Sequence, residues 1–229
     1  MNQDKLIVAL DVSNLNDAEK LVKTLLPAVK IFKIGKELFT AEGPRAVEMV
    51  HSRGGKVFLD LKFHDIPSTV AGACEAAARH GVFMMNVHTA GGREMLKAAV
   101  GATRRVARTT IVLGVTVLTS LSQNDLDEIG ISKKLEDEVR DLAKLAKECG
   151  LNGVVASPRE IEIIRKTCGK DFLIVTPGVR PAWASAGDQQ RVMTPKEAVD
   201  KGASYIVVGR PITQAEDPKE AAERILNEM

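Results

Sequence analysis

Eight short apolar, β-branched runs, each followed by a segment of helical period, constrain this 229-residue chain more than any other feature. The runs are Leu6–Leu10, Ile31–Ile34, Lys56–Leu61, Phe83–Val87, Thr110–Leu118, Gly153–Ala156, Phe172–Val175 and Tyr205–Val208. Most are nearly continuous in apolar character, which is what a strand buried on both faces requires. The first intervening segment, Asn16–Val29, gathers Ala18, Leu21, Val22, Leu25 and Leu26 on one side. Pro44–Arg53, Pro67–His80, Gly92–Ala107, Leu135–Cys149, Pro158–Thr167, Pro195–Lys201 and Pro218–Asn227 follow the same pattern. Pro44, Pro158, Pro195 and Pro218 each open a segment, where a missing N–H costs little. Gly81, Gly150 and Gly202 follow segment ends, as helix-capping glycines do.

Strict alternation of strand and helix implies parallel strands joined by right-handed crossovers. Eight such units in this length predict an α/β fold, a (β/α)8 TIM barrel, forming one catalytic domain over residues 1–229. An open doubly wound sheet is the alternative, but no Gly-x-Gly-x-x-Gly follows the first run. The Gly-, Pro-, Ala- and Ser-rich stretch 178–191 is long for a barrel loop, and such loops often serve as lids.

Basic and acidic residues nearly balance, 32 against 30, so charge gives no push toward nucleic acid. Arg104, Arg105 and Arg108 form one basic cluster with no aromatic neighbours, which reads as a solvated helix end. The three cysteines, Cys74, Cys149 and Cys168, are odd in number and lack metal spacing, which suits a reducing compartment. No apolar run is long enough for a signal peptide or a membrane span. The expectation is a soluble cytoplasmic protein. His51, His64, His80 and His88 are scattered without a metal motif, and no cofactor signature is present.

Barrel chemistry gathers at the carboxyl ends of the strands. Those ends carry Asp11, Lys33, the run Asp60-Leu-Lys62 with Asp65 beyond it, Asn86 and His88, Thr119 and Ser120, Arg180, and Gly209-Arg210. Charges pointing into the mouth need partners, and alternating Asp and Lys supply them. Asp60 and Lys62, two apart on a strand, point to one side. A lysine among carboxylates can act as a fixed cation and proton donor. A structural ion pair with Asp65 as a helix cap is the plainer account of that trio. Convergence of Asp11 and Lys33 on the same mouth favours chemistry over it. The position of Gly209-Arg210 after the last strand suits a phosphate dianion. His88 reads as a hydrogen-bonded structural residue, and Asn86 as structural too.

The run Phe58-Leu-Asp60-Leu-Lys62-Phe-His64-Asp65-Ile-Pro67-Ser-Thr69 closely resembles the signature of the orotidine 5′-phosphate decarboxylase family. So do Ala9-Leu-Asp11, Phe32-Lys33-Ile-Gly35, Asn86-Val-His88, Leu118-Thr119-Ser120, Thr176-Pro-Gly-Val-Arg180, Asp188-Gln189 and Val208-Gly209-Arg210. The resemblance implies a barrel that decarboxylates orotidine 5′-monophosphate to uridine 5′-monophosphate in pyrimidine biosynthesis, with no cofactor and no metal. Similar barrels that act on sugar phosphates share the Asp-x-Lys-x-x-Asp core but carry an acidic residue on strand 2 that helps hold magnesium. Lys33 stands there in this chain and would repel the ion.

By the same resemblance, Lys62 protonates carbon 6, Asp60 lies beside the substrate carboxylate, and Asp65 enters from the neighbouring subunit of a homodimer with shared sites. Asp11 and Lys33 bind the ribose, with Thr69 of the partner chain; Ile66 lies between the two partner residues and is counted in the substrate site. Thr119 and Ser120 approach the base. Gln189, Gly209 and Arg210 hold the phosphate, and Arg180 belongs to the same region. Pro211 replaces a frequent serine and is expected to affect only the turn. A non-catalytic nucleotide-binding barrel is disfavoured, because a binder has no use for the ion cluster.

Overall fold

The computed structural model describes residues 4–184 and 193–229. Its eight strands are β1 (Leu6–Ala9), β2 (Ile31–Gly35), β3 (Lys56–Phe63), β4 (Met84–His88), β5 (Ile111–Val115), β6 (Gly153–Val155), β7 (Leu173–Thr176) and β8 (Tyr205–Val208). They pair in sequence order, all parallel, and β8 returns to β1 to close a barrel. The predicted closed barrel is therefore what the chain forms.

Two apolar layers explain the continuous hydrophobic runs. Ile7, Ala9, Ile31, Phe58, Met84, Leu113, Val115, Val155, Val175 and Val207 fill the barrel. Their strand neighbours, such as Val8, Phe32, Val57, Met85, Val112, Val154, Ile174 and Ile206, face outward to the helices. Alternation along each strand thus splits one run between two cores.

The outer layer begins with α1 (Leu15–Leu25), α2 (Lys36–Glu42), α3 (Arg45–Ser52), α4 (Pro67–Arg79), α5 (Gly92–Val106) and α6 (Gln123–Glu128). It continues with α7 (Leu135–Glu148), α8 (Ile161–Cys168), α9 (Pro195–Asp200), α10 (Arg210–Thr213) and α11 (Pro218–Glu228). Asn14 caps α1 by accepting from the Asp17 N–H, and Asp217 caps α11 through the N–H groups of Lys219 and Glu220. Gly81, Gly150 and Gly202 have φ of 72°, 83° and 105°, the left-handed geometry expected of residues that end helices.

Three helices were not anticipated. α2 and α10, of seven and four residues, are too short for a periodic apolar pattern to stand out. α6 carries a Ser122–Asp125 capping box that is readable as a start signal. Strand β5 also stops at Val115, three residues before the end of the apolar run. Thr116 still bonds the Val155 carbonyl, and Val117, Leu118 and Thr119 then turn to line the mouth.

Candidate active site

The centre of the mouth is built by an irregularity in β3. Leu59 pairs with Met85 but Phe63 pairs with Val87, so β3 spends four residues where β4 spends two. The extra length is absorbed at Lys62, whose φ of 53° makes it the sole non-glycine residue with positive φ among those described. That conformation costs about 1–2 kcal/mol for an L-residue. It is held by the Lys62 backbone N–H, which donates to Asn86 Oδ1 at 2.8 Å. The Asp60–Lys62 proximity foreseen from strand period is present, but through a bulge rather than a regular pleat.

A row of alternating charge follows. Lys62 Nζ donates to Asp60 Oδ1 at 2.6 Å, and Lys33 Nζ lies 3.5 Å from Asp60 Oδ2. Lys33 also donates to Asp11 Oδ1 at 3.1 Å. Asn86 Nδ2 donates to Asp60 Oδ1 at 2.7 Å. The side chains of Lys33 and Asp60 are only 12% and 13% exposed, so the contacts to Asp60 operate away from bulk water, whereas Asp11, 53% exposed, meets Lys33 at the open side. Burial alone would raise the Asp60 carboxyl; the Lys33 and Lys62 ammonium groups and the hydrogen bonds from Lys62 and Asn86 outweigh it and hold Asp60 below the usual carboxylate range. Gly35 makes room for the row: a Cβ there would stand 3.0 Å from Lys33 Nζ.

The row forms one side of a cavity of about 170 Å³. Lys33, Asp60 and Lys62 supply its charged side; Phe58, Val115, Val117, Leu118, Val155, Pro177 and Val207 supply apolar walls, with Thr119 at the rim. Ser120, beside Thr119, is exposed and does not line it. At the other end of the row a Cβ on Gly209 would approach Asp11 Oδ2 to 3.3 Å. Gly209 also caps α10, which begins with Arg210 and carries Pro211 in its first turn. Arg180, buried, and Arg210, exposed, line a second cavity of about 300 Å³ with Trp183 and Gln214. The expected phosphate residue Gln189 lies outside the described residues.

Asp65, Ile66 and Thr69 stand apart from the row of their own chain. All three are exposed, Ile66 by 64%. The Asp65 carboxylate accepts the Ile66 N–H at 2.6 Å, and Ile66, not Asp65, occupies the N-cap position of α4. His88 differs from its expected structural role. Its ring makes no hydrogen bond to another described residue and instead faces the His64 ring at 5.3 Å. Burial, and repulsion from His64, Lys36 and Lys62, push its imidazole below the ordinary value, against a weaker opposing pull from Asp60. Asn86, read as structural, proves to hold both Lys62 and Asp60 from the middle of β4, where it is fully buried; a lone amide inside the apolar run is the signal that marks it.

No group of three or more His, Cys, Asp or Glu side chains among the described residues is arranged to hold a metal ion. No described helix is long and apolar enough to cross a membrane.

A closed parallel barrel with an alternating Asp/Lys row, buried at its centre, at the carboxyl ends of its strands defines an α/β-barrel enzyme. The model of the orotidine 5′-phosphate decarboxylase / HUMPS family matches residues 4–225, and the chain belongs to that family. It is similar to the orotidine 5′-phosphate decarboxylase of Moorella thermoacetica, at 57% identity over 99% of this chain and 92% of that protein. The enzyme of the same name from Syntrophotalea carbinolica is 54% identical over 98% of this chain and 94% of its own length. Among solved structures, the crystal structure of orotidine 5′-phosphate decarboxylase from Lactobacillus acidophilus superposes with a TM-score of 0.86 at 40% identity, covering 98% of both chains.

Proposed function

We propose that this chain decarboxylates orotidine 5′-monophosphate to uridine 5′-monophosphate without metal or organic cofactor, with Lys62 as the proton donor. The observation that carries the reading is the continuous row Lys62–Asp60–Lys33–Asp11 along one apolar-walled cavity. Breaking the bond between carbon 6 and the carboxylate leaves its electron pair in the plane of the pyrimidine, where the ring delocalises it poorly. A fixed ammonium in a water-poor pocket is the stabiliser this chain offers. Lys62 Nζ gives its proton to carbon 6, carbon dioxide departs, and solvent reprotonates the amine. Asp60 holds that ammonium in place. Asp11 and Lys33 suit the ribose hydroxyls, Thr119 and Ser120 the base, and Gly209, Arg210, Arg180 and Gln189 the phosphate. Lys33, lodged between two carboxylates, disfavours a cation where a magnesium-dependent relative would place one.

The test is to mix the protein with orotidine 5′-monophosphate in excess EDTA and follow the ultraviolet absorbance of the pyrimidine. Full conversion is expected; activity that disappears on chelation and returns with magnesium would overturn the reading.

The proposed working form is a cytoplasmic homodimer in which Asp65, Ile66 and Thr69 complete the site of a second copy. Their exposure, with a large apolar side chain bare among them, supports this. Lys62→Ala and Asp65→Ala chains, each nearly inactive alone, should complement on mixed refolding. Half the dimers are then mixed and each holds one intact site, giving about a quarter of full activity for a two-fold dimer. No recovery after verified chain exchange would put Asp65 to work within its own chain.

A further inference from the structure

Trp183 is the only tryptophan in the chain, and it lies three residues beyond Arg180 on the wall of the second cavity. Its indole is fixed from three sides. The ring body packs against the main apolar core. The Nε1–H donates to Glu228 Oε1 at 2.7 Å. The Arg224 guanidinium stands over the ring at 4.5 Å from its centre. Arg224 and Glu228 are four apart on α11 and so share one face. A carboxylate in the last helical turn is at the end the macrodipole disfavours, so a strong donor such as the indole N–H gives it a use there.

α11 also packs against α10, the helix that begins with Arg210. Both walls of the cavity therefore rest on one platform: α10 by direct packing, the Arg180–Ala184 segment through its indole. We propose that Trp183 is a positioning residue, which sets the separation of Arg180 and Arg210 so that the two guanidinium groups can engage one phosphate monoester. It rests on the assignment of this cavity to the nucleotide phosphate. Because the indole borders that cavity, its emission should report occupancy by phosphate-bearing ligands.

The test uses the full chain. Wild-type emission should shift with uridine 5′-monophosphate or with inorganic phosphate, and stay constant with uridine. Trp183→Ala should lower kcat/KM about tenfold more for orotidine 5′-monophosphate than for orotidine, equivalent to about 1.4 kcal/mol of selective binding. The shortfall should sit mainly in KM. Trp183→Phe keeps the aromatic body and should fold; it loses the N–H donor and should show a smaller loss of the same selectivity, matched by Glu228→Ala. A purely space-filling tryptophan would instead lower both substrates alike and leave the Glu228→Ala ratio at the wild-type value. Arg210→Ala separates the two layers of inference. If it discriminates between the substrates and the Trp183 and Glu228 variants do not, the positioning role is overturned. If none of them discriminates, the phosphate assignment falls with it.

Discussion

Lys62 and Arg210 stand at opposite ends of the charged mouth, Lys62 joined to the Asp60–Lys33–Asp11 row and Arg210 following Gly209 beside Asp11, yet they are held in different ways. Lys62 sits in a bulged strand at positive φ, tied through its backbone to buried Asn86 and through its ammonium to Asp60. Arg210 is exposed and starts a four-residue helix. One end is over-determined by a closed, buried network; the other stands at the exposed start of a short helix. That contrast is what a charge-stabilising reaction asks for. Donors that meet a developing charge gain most when they cost no reorganisation, whereas a remote group can use its binding energy to draw a site closed.

Lys62→Ala breaks the fixed end, and its effect should be the largest. Turnover should be abolished, with at least ~3 kcal/mol of transition-state stabilisation lost, the scale of a key preorganised donor. Single-turnover kinetics would check it, and a variant keeping most of its turnover would remove Lys62 from the chemistry.

Arg210→Ala acts at the exposed end. It should cost about 1.5–3 kcal/mol in kcat/KM, the worth of hydrogen bonds to a charged group. On the proposed phosphate role, the loss should appear in both KM and kcat, because remote binding energy can also serve turnover. Orotidine, which lacks the phosphate, should react equally with both enzymes. Strong discrimination by orotidine would mean that Arg210 acts elsewhere.

The same contrast explains what could be read in the sequence. Period and alternation disclosed the barrel because every strand must bury two faces, as Val8 and Ala9 do on opposite sides of β1. The gathering of Asp11, Lys33 and Asp60 at the mouth followed from their places at or toward the carboxyl ends of the apolar runs. The bulge did not, since Lys62 carries no residue-type mark of positive φ in the way a glycine would. Asn86 was missed for a related reason: its value lies in contacts 24 and 26 residues away, which no local pattern shows. At the arginine end, α10 is too short for a period to emerge, and Trp183 owes its place to Arg224 and Glu228, far along the chain.

The smallest predicted effect belongs to Asn86, and pH resolves it into parts. Asn86→Ala leaves the Lys62 N–H and one Asp60 oxygen without their partner, which should cost about 1–2 kcal/mol of stability near neutral pH. The Asp60 carboxyl is depressed below its ordinary value of 3.8 in the folded protein. Ionised Asp60 therefore contributes stability fully above that pH, and the contribution is lost as pH falls through the lower folded value. Asn86 is among the groups that depress it, so Asn86→Ala should raise the folded value toward 3.8 and shrink the contribution. Denaturant titrations of both proteins at pH 7 and at pH 3 would measure this. The gap between wild type and variant should narrow in acid, because a protonated Asp60 gains less from the amide. A gap of equal size at both pH values would show that Asn86 serves only the strained backbone of Lys62, and the fixed end would then owe its order to the bulge rather than to the buried charge.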